Sequence, residues 1–219
     1  MRQYPNNNQP WNCFIMIVLY SSYLKAMLIS TLKQDRREYL MGIYIRGIDE
    51  KVEAFSSDGH RLSKWLITTK YEGENFEFII HREAIEQALL TREHEVRLTS
   101  DGTLHTRISK ITKLIDEPYP DLDTAVFSRI NLEPNISDNP LINCYYLKDL
   151  YEIAKLLRTN RSPQFWPVNH PQDGVGPVVY TIEGVDDFIH IIMPMRDDSS
   201  RKNKALKTIR NVANIDFDN

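Results

Sequence analysis

Residues 188–196 read FIHIIMPMR, and six of these nine residues are large hydrophobes. Pro194 has no N–H to donate, so it ends the pairing of this predicted strand. Its neighbours Met193 and Met195 are flexible thioethers, which suit an adaptable apolar groove better than a tight core. The same pattern is also typical of an ordinary edge strand, so the rest of the chain has to decide between the two.

The chain has 219 residues, enough for one large or two small domains with a sizeable core. It is 42% hydrophobic and 26% charged, which is typical of a globular protein. A net charge of −3 excludes a protein that is basic throughout, but it still allows a local basic face. Cys13 and Cys144 lack the spacing of metal ligands, and we expect both to be buried thiols in a reducing compartment.

The apolar run at residues 13–20 (CFIMIVLY) resembles a membrane segment at first sight. A bilayer span takes about 20 residues, so this run is too short, and no signal-peptide cleavage site follows it. We therefore predict a buried strand, a cytoplasmic protein and no membrane contact. Residues 1–12 are rich in Asn, Gln and Pro and are expected to be disordered.

The pattern after this strand is a helix followed by three strands. Apolar residues recur at helical spacing from Tyr23 to about Lys33, and three strand-like segments follow at 40–46, 51–57 and 61–69. Asp58-Gly59 between the last two is a strong hairpin signal.

A similar unit appears twice more along the chain. The second has a strand at 76–80, a helix from Arg82, strands at 95–99, 103–109 and 111–115, and a proline-bounded loop at 117–121. The third has a short strand at 141–144, a helix at 146–157, a Pro/Gly-rich loop at 161–176, and strands at 177–182 and 188–193.

This repetition predicts an α+β fold made of strand–helix–strands units, with the helices on one face of antiparallel sheets. We expect a complete two-unit domain at 13–127 and a partial C-terminal domain at 128–196. A polar tail with one helical turn follows at 197–219.

Lys and Arg occupy similar places on the polar side of each predicted helix. Repeated cations on one surface would bind phosphates without reading sequence. Taken alone, these residues favour a solvated helix face instead, because Glu83, Glu86, Asp149 and Glu152 are interspersed. The candidate DNA-binding residues are Lys25, Lys33, Arg36, Arg37, Tyr39, Arg82, Lys148, Lys155 and Arg158.

Asp58 and His60 could suggest acid–base catalysis. Neighbours on a hairpin tend to point to opposite faces, however, and no nucleophile is placed near them by spacing. The sequence also has no phosphate-binding loop, dinucleotide fingerprint or Cys/His metal set. We therefore expect a protein without catalytic residues, cofactor or metal, and a small hydrolase using His60 is the weakest alternative.

Four separated motifs resemble the bacterial DNA polymerase III β subunit family, the sliding clamps. Residues 57–62 (SDGHRL) resemble the family's Thr-Asp-Gly-His-Arg-Leu hairpin, and residues 119–122 (YPDL) resemble its Phe-Pro-Asp-Tyr loop. Residues 191–196 (IIMPMR) are similar to its C-terminal Val-Val-Met-Pro-Met-Arg, and residues 37–42 (REYLMG) to its Arg-Tyr-Tyr-Leu-Asn-Gly. The resemblance covers roughly residues 13–127 and 140–196.

The resemblance implies a non-catalytic, homo-oligomeric processivity factor that holds duplex DNA loosely and tethers a replicative polymerase. It also implies a hydrophobic pocket for short linear peptides from polymerase and clamp-loader subunits, for which flexible methionines are suited. The matching pocket residues are Leu40, Ser57, Gly59, His60, Arg61, Leu62, Pro120, Ile191, Ile192, Met193, Pro194, Met195 and Arg196.

The chain departs from the family pattern in length. A family subunit has three domains of two units each, and two subunits close the ring, whereas this chain has about three units. A tail follows Arg196, where the family ends. The alternative is therefore a clamp-derived interaction protein that does not encircle DNA and that sequesters or blocks clamp-binding partners.

Overall fold

A computed structural model describes residues 16–68, 70–130, 142–157, 177–195 and 199–213. The strands are β1 Ile17–Tyr20, β2 Gly42–Ile48, β3 Lys51–Ser57, β4 Arg61–Thr68, β5 Phe76–His81, β6 Glu95–Leu98, β7 Leu104–His105, β8 Lys110–Ile111, β9 Leu114–Ile115, β10 Val178–Ile182 and β11 Val185–Ile192. The helices are α1 Ser21–Leu28, α2 Arg82–Leu89, α3 Leu122–Ala125, α4 Cys144–Leu156 and α5 Ser199–Ala213, with 3₁₀ turns at Glu38–Met41 and Phe127–Arg129.

The first two units exchange their first strands. β1 of the first unit pairs with β6 of the second, while β5 of the second unit pairs with β2 of the first. The result is a four-stranded sheet in the order β1-β6-β7-β8 and a seven-stranded sheet in the order β10-β11-β4-β3-β2-β5-β9. Because each sheet contains strands from both units, the two units form one folded body.

Two tight turns set the register of the larger sheet. Asp49 and Glu50 join β2 to β3 with φ of 51° and 65°, the left-handed conformation that a two-residue hairpin turn requires. Gly59 in the next turn has a φ of +88°, and the Asp58 carboxylate accepts the backbone N–H groups of His60 and Arg61 at 2.9 and 2.7 Å. The Asp58-Gly59 hairpin signal is thus confirmed.

One apolar core lies between the two sheets and the helices. β1 and β6 contribute Leu19 and Val96, and the larger sheet contributes Ile45 and Trp65, all of them buried. α1 and α2 fill the space between them, and α4 extends this layer over β10 and β11 through Leu150. This helix-covered side of the seven-stranded sheet is called the inner face below, and the opposite side the outer face.

The first helix is shorter than the sequence predicted, ending at Leu28 rather than near Lys33. The Leu28 carbonyl accepts from the Thr31 N–H, the Thr31 hydroxyl and Arg82 Nη1. The Leu32 N–H, which would continue the helix, instead donates to the Leu40 carbonyl at 2.9 Å. These competing bonds end the helix although the apolar spacing continues.

The expected strand at 111–115 is wrong, because the chain changes sheets within it. Ile111 pairs with Leu104 in the smaller sheet, whereas Leu114 and Ile115 pair with β5 in the larger one. The expected strand at 103–109 is reduced to β7, because Thr106 and Ser109 close a turn with an N–H to carbonyl bond of 2.9 Å.

Two expectations near the C-terminus are also corrected. The strand expected at 141–144 is wrong: Asn143 caps a helix by accepting the Tyr145 N–H at 3.1 Å, so α4 begins at Cys144. The expected single helical turn in the tail is instead the 15-residue helix α5, whose Lys, Ala, Leu and Arg residues favour helix.

Cys144 is exposed at the start of α4, which corrects the expectation of a buried thiol, and Cys13 lies outside the described residues. Among the described residues, no helix has both the length and the apolarity needed to cross a membrane. The apolar run at 13–20 ends in β1, and its first three residues are outside the described part of the chain.

A buried histidine lies on the inner face where β11 meets β4. His190 Nδ1 is 2.9 Å from the Ser63 hydroxyl, which is 2.8 Å from the Ser30 hydroxyl. Its Nε2 is buried without a hydrogen-bond partner among the described residues. Burial, with a smaller effect of nearby Arg61, lowers the pKa of His190 from 6.5 to about 3, so the imidazole is neutral near pH 7.

This burial predicts a pH-dependent stability. Below pH 6.5 the unfolded chain gains a proton at His190 that the folded chain does not take up until about pH 3. The free energy of unfolding should therefore decrease as the pH is lowered through this window, by up to about 1.4 kcal/mol per pH unit from this group. Urea unfolding of the wild type and of His190→Gln at several pH values measures this pH dependence. If the free energy of unfolding changes equally with pH in both proteins, His190 is not its source.

Candidate partner-peptide site and cationic surface

The hairpin at 57–62 and the C-terminal strand are direct neighbours. Ile191 pairs with Leu62 and Ile192 with Arg61, and the Met193 N–H donates to the His60 carbonyl at 2.8 Å. The structure therefore brings together two of the motifs that lie far apart in the sequence. Pro194 follows as a buried residue.

Strand alternation divides these residues between the two faces of the sheet. Leu62 and Ile191 lie on the outer face, where they form a buried cluster with Phe55 and Val179. Arg61 lies towards α4, and Ile192 packs beside Leu150 on the same inner face. A partner on one face of the sheet therefore cannot contact all the residues that the sequence grouped into one pocket.

A segment that includes the proline loop covers the outer-face cluster. Tyr119 stacks on Tyr44 with ring centroids 4.6 Å apart and planes within 7°. Phe127 lies 6.1 Å from the Phe55 ring, and the Asp123 carboxylate accepts from Arg46 at 2.9 Å. Leu62 and Ile191 are only 4% and 2% exposed under this cover.

On the inner side, Arg61 joins the hairpin to α4. Its guanidinium lies 2.7 Å from the Asp58 carboxylate, forms a second ion pair with Asp149, and lies 4.8 Å from the centre of the Tyr146 ring. Burial raises the pKa of Asp149, against the opposing effect of Arg61. With 12% of its side chain exposed, Arg61 holds the fold together as well as lining the site.

The exposed rim of the site is formed by the turn and by the methionines. Met193 and Met195 are each 42% exposed, and Gly59 and His60 are exposed beside them. A Cβ added to Gly59 would lie 3.6 Å from Arg37 Nη1, so this arginine borders the turn. The rim therefore offers two thioethers, an imidazole and a guanidinium to a partner.

The remaining expected pocket residues have different positions. Leu40 is buried, and the Ser57 hydroxyl donates to the Arg61 carbonyl at 2.7 Å within the hairpin. Pro120 is exposed on the outer face, and Arg196 lies outside the described residues.

Two clefts flank the stacked Tyr44 and Tyr119 on the outer face. The larger, about 570 Å³, lies between this stack and the strand edge at β5 and β9. The smaller, about 220 Å³, is lined by Pro120 and Leu122 as well as by the two tyrosines. The Tyr119 hydroxyl is buried with no hydrogen-bond partner among the described residues, and burial raises its pKa.

Part of the predicted cationic surface lies on α1 and α4, which pack against each other. Lys25 is exposed on α1, and Lys148 and Lys155 are exposed on α4. The last two are seven residues apart, so they lie on one side of the helix with the exposed Tyr151 between them.

The other predicted cations are placed differently. Lys33, Arg36 and Arg37 follow the end of α1 instead of lying on a helix. Tyr39 packs edge-on against Tyr119 at 5.7 Å, next to the proline loop.

α2 does not present a free cation at its start. Arg82 donates to the Leu28 and Thr31 carbonyls and pairs with Glu86 at 2.7 Å. The exposed charged residues of this helix are Glu83 and Glu86. Arg158 lies outside the described residues.

Sequence reasoning missed Tyr146 and Asp149 at the hairpin and Tyr44 and Phe127 on the outer face. Tyr146 and Asp149 are three residues apart on α4, and this helical spacing was the available signal. Nothing in the sequence indicated that α4 would lie beside the hairpin. Among the described residues, no group of three His, Cys, Asp or Glu side chains is arranged to hold a metal ion.

Comparisons with known proteins agree with the sequence motifs. The beta sliding clamp of Buchnera aphidicola subsp. Rhopalosiphum padi is 29% identical over 154 residues, which span 65% of this chain but 40% of that protein. The DNA polymerase sliding clamp of Pseudomonas aeruginosa superposes with a TM-score of 0.62 at 19% identity, covering 89% of this chain and 70% of that one. The Helicobacter pylori beta clamp, solved with a DNA ligase peptide, gives a TM-score of 0.62 at 14% identity, covering 83% of this chain and 66% of that one.

No family model matches the chain. The structural matches nevertheless confirm the predicted α+β clamp fold, and the curated relative supports the resemblance in sequence. The chain matches less than half the length of that relative.

The contacts of Arg61 predict strong coupling between the hairpin and α4. A double-mutant cycle with Arg61→Ala and Asp149→Ala should give a coupling free energy of about 1–3 kcal/mol, because both groups are largely shielded from water. Arg46→Ala with Asp123→Ala is the matched control, and its more exposed pair should give about 0.2–1 kcal/mol. Urea unfolding of the variants measures both values, and equal coupling in the two pairs would contradict a special role for Arg61.

Proposed function

We propose that this chain, a shortened and divergent relative of the bacterial sliding clamps, is a non-catalytic DNA clamp that tethers a replicative polymerase to duplex DNA. The observation that carries the proposal is the direct pairing of the 57–62 hairpin with the methionine-tipped strand β11. In this proposal, that junction binds partner peptides outside the ring, and the helix layer faces the DNA.

Partner binding is supported by the exposed rim of the junction. Met193 and Met195 are apolar, flexible and half-exposed, and the neighbouring His60 provides a polar group at the turn. Thioether side chains can adapt to several apolar ligands, as a protein with several partners requires. The proposed ligands are short linear peptides of polymerase and clamp-loader subunits, and the H. pylori clamp carries a DNA ligase peptide.

DNA binding is supported by the exposed lysines of α1 and α4. Lysines are strongly hydrated point charges that can hold phosphates without reading bases, which suits a protein that slides. We propose Lys25, Lys148 and Lys155 as the principal phosphate contacts, together with Arg158, which lies outside the described residues.

The assembly that we propose is a homo-oligomeric ring in the cytoplasm. In this proposal, residues 13–127 form a complete domain and residues 128–196 a partial one, whose strands β10 and β11 extend the larger sheet with α4 packed on them. The ring is proposed by analogy with the sliding clamps that the chain resembles.

A second candidate is an interaction protein that blocks clamp partners without encircling DNA. It is favoured by α2, where Arg82 and the nearby Lys113 are paired with Glu86 and Glu83, so this helix offers no unpaired cation to the phosphates that an inner ring surface should attract. Retention on nicked circular DNA that is lost when the DNA is linearised would support the ring. A protein that binds peptides but is never retained on the circle would support this second candidate.

The rim methionines predict a measurable effect on peptide binding. Met193→Ala combined with Met195→Ala should weaken binding of a polymerase-derived clamp-binding peptide by about 1–3 kcal/mol, because two apolar contacts are lost. Met16→Ala is a matched control, since Met16 is similarly exposed and lies immediately before β1, in the other sheet from β11. Fluorescence anisotropy measures the affinity, and unchanged binding by the double variant would remove the peptide assignment.

The lysines of α4 predict a change in DNA retention. Lys148→Glu with Lys155→Glu should lower DNA affinity at low salt and reduce its salt dependence, because two phosphate contacts become repulsive. Lys51→Glu with Lys70→Glu makes the same charge change at exposed residues near the β2–β3 turn and the end of β4. If both pairs have equal effects, the α4 lysines form only a solvated helix face.

A further inference from the structure

The charges of the chain are unevenly divided between α5 and the rest. Five of the 27 Lys and Arg residues lie within 199–213, and none of the 30 Asp and Glu residues do. The helix segment therefore carries +5, while the rest of the chain has 22 cations against 30 acids, a net charge of −8. Such a division favours attraction between α5 and an acidic protein surface.

α5 also carries an apolar stripe that the described part of its own chain leaves uncovered. Leu206, Ile209 and Val212 follow each other at intervals of three and are 45%, 50% and 82% exposed. Residues 203–209 are exposed on every side of the helix. An isolated helix of 15 residues is marginally stable in water, so α5 would gain stability by burying this stripe.

The larger cleft on the outer face has the complementary character. Its walls include Ile79 and its strand partner Ile115, with the half-exposed Leu114 at the β9 edge, and its volume is within the range of about 300–1,000 Å³ typical of binding pockets. The cleft lies at the β9 edge of the sheet, and four strands separate β9 from β11, the strand that precedes α5.

Three carboxylates also line this cleft: Glu77, Asp116 and Glu117. Glu77 accepts the Tyr44 hydroxyl at 2.7 Å and Glu117 accepts the Tyr39 N–H at 2.7 Å, yet none of the three has a cation partner among the described residues. The buried hydroxyl of Tyr119, which lines the same cleft, also has no partner within the described part of the chain. The cleft thus combines carboxylates that lack a cation partner among the described residues, an apolar wall and the unpartnered Tyr119 hydroxyl. This combination indicates a ligand that is both basic and apolar.

We propose that α5 of one copy of this chain docks in the larger of the two clefts, between the Tyr44–Tyr119 stack and the β9 edge, of a second copy. The apolar stripe would cover Ile79, Ile115 and Leu114, and the lysines would pair with the carboxylates at the rim. We infer a second copy because no described residue of the same chain covers α5, and because its positive charge is complementary to the acidic rim of the cleft. The contact joins two different surfaces, so repetition builds a ring or an open chain of subunits.

This self-association does not depend on DNA or on partner peptides, so it is tested without either. Sedimentation velocity over a range of concentrations should show concentration-dependent oligomers of the wild-type chain at low salt. Lys204→Glu with Lys207→Glu should weaken the association at least tenfold. Glu77→Lys with Asp116→Lys should do the same from the cleft side, because both changes place like charges opposite each other.

Mixing the two charge-reversed variants is the decisive experiment. In each variant alone, the helix and the cleft carry like charges and repel each other. The acidic helix of one variant is complementary to the basic cleft of the other, so mixing the two should restore the association. Leu206→Ser with Ile209→Ser should also abolish it, while Glu72→Lys with Glu95→Lys should leave it unchanged, since these exposed acids lie outside the cleft.

Several results would overturn the proposal. A wild-type chain that stays monomeric at all concentrations would do so, as would a mixture that fails to associate. Charge-reversed α5 that loses DNA binding while the oligomer persists would instead identify α5 as a phosphate-binding helix. Peptide binding and DNA retention are measured independently of this contact, so those parts of the proposed function are judged separately. A chain that is monomeric at all concentrations would count against the proposed homo-oligomeric ring as well, whereas an oligomer that persists in the α5 and cleft variants would overturn only this contact.

Discussion

The backbone pairing of β11 with β4 is the constraint on which the rest of the structure depends. It adds β11 and β10 to the five strands β4-β3-β2-β5-β9 of the two-unit body, and it places residues 191–193 beside the 57–62 hairpin. Arg61 strengthens this junction by reaching both Asp58 within the hairpin and Asp149 on α4. Without it, the C-terminal residues would have no fixed relation to the other motifs.

The sheet also decides which residues can act together. Because side chains alternate along each strand, Leu62 and Ile191 belong to an apolar outer face, while Arg61 and Ile192 belong to the layer that contains α4. The rim of methionines and the hairpin turn is the place where the two faces meet. A partner would therefore approach at the end of the strands, where both kinds of contact are available.

The outer face is covered unusually closely by the chain itself. The Tyr44–Tyr119 stack and the Arg46–Asp123 ion pair hold residues 119–127 on the sheet, so the apolar cluster below is largely shielded. The same cover creates the clefts on either side of Tyr119. Residues 119–127 therefore cover the apolar cluster of the outer face and also contribute walls to the two clefts.

Much of this protein could be derived from its sequence because the decisive signals were local. Strand periodicity, the Asp58-Gly59 turn and the four motifs indicated the α+β clamp fold and the hairpin that pairs with β11. Tertiary structure alone decided how far α1 extends and which face of the sheet each residue occupies. It also placed Arg37 beside the hairpin and Tyr39 beside the proline loop, instead of on an α-helix. The physical reason is that hydrogen bonds from distant residues, such as Arg82 to Leu28, override local periodicity, and pairing between distant strands sets the neighbours of each side chain.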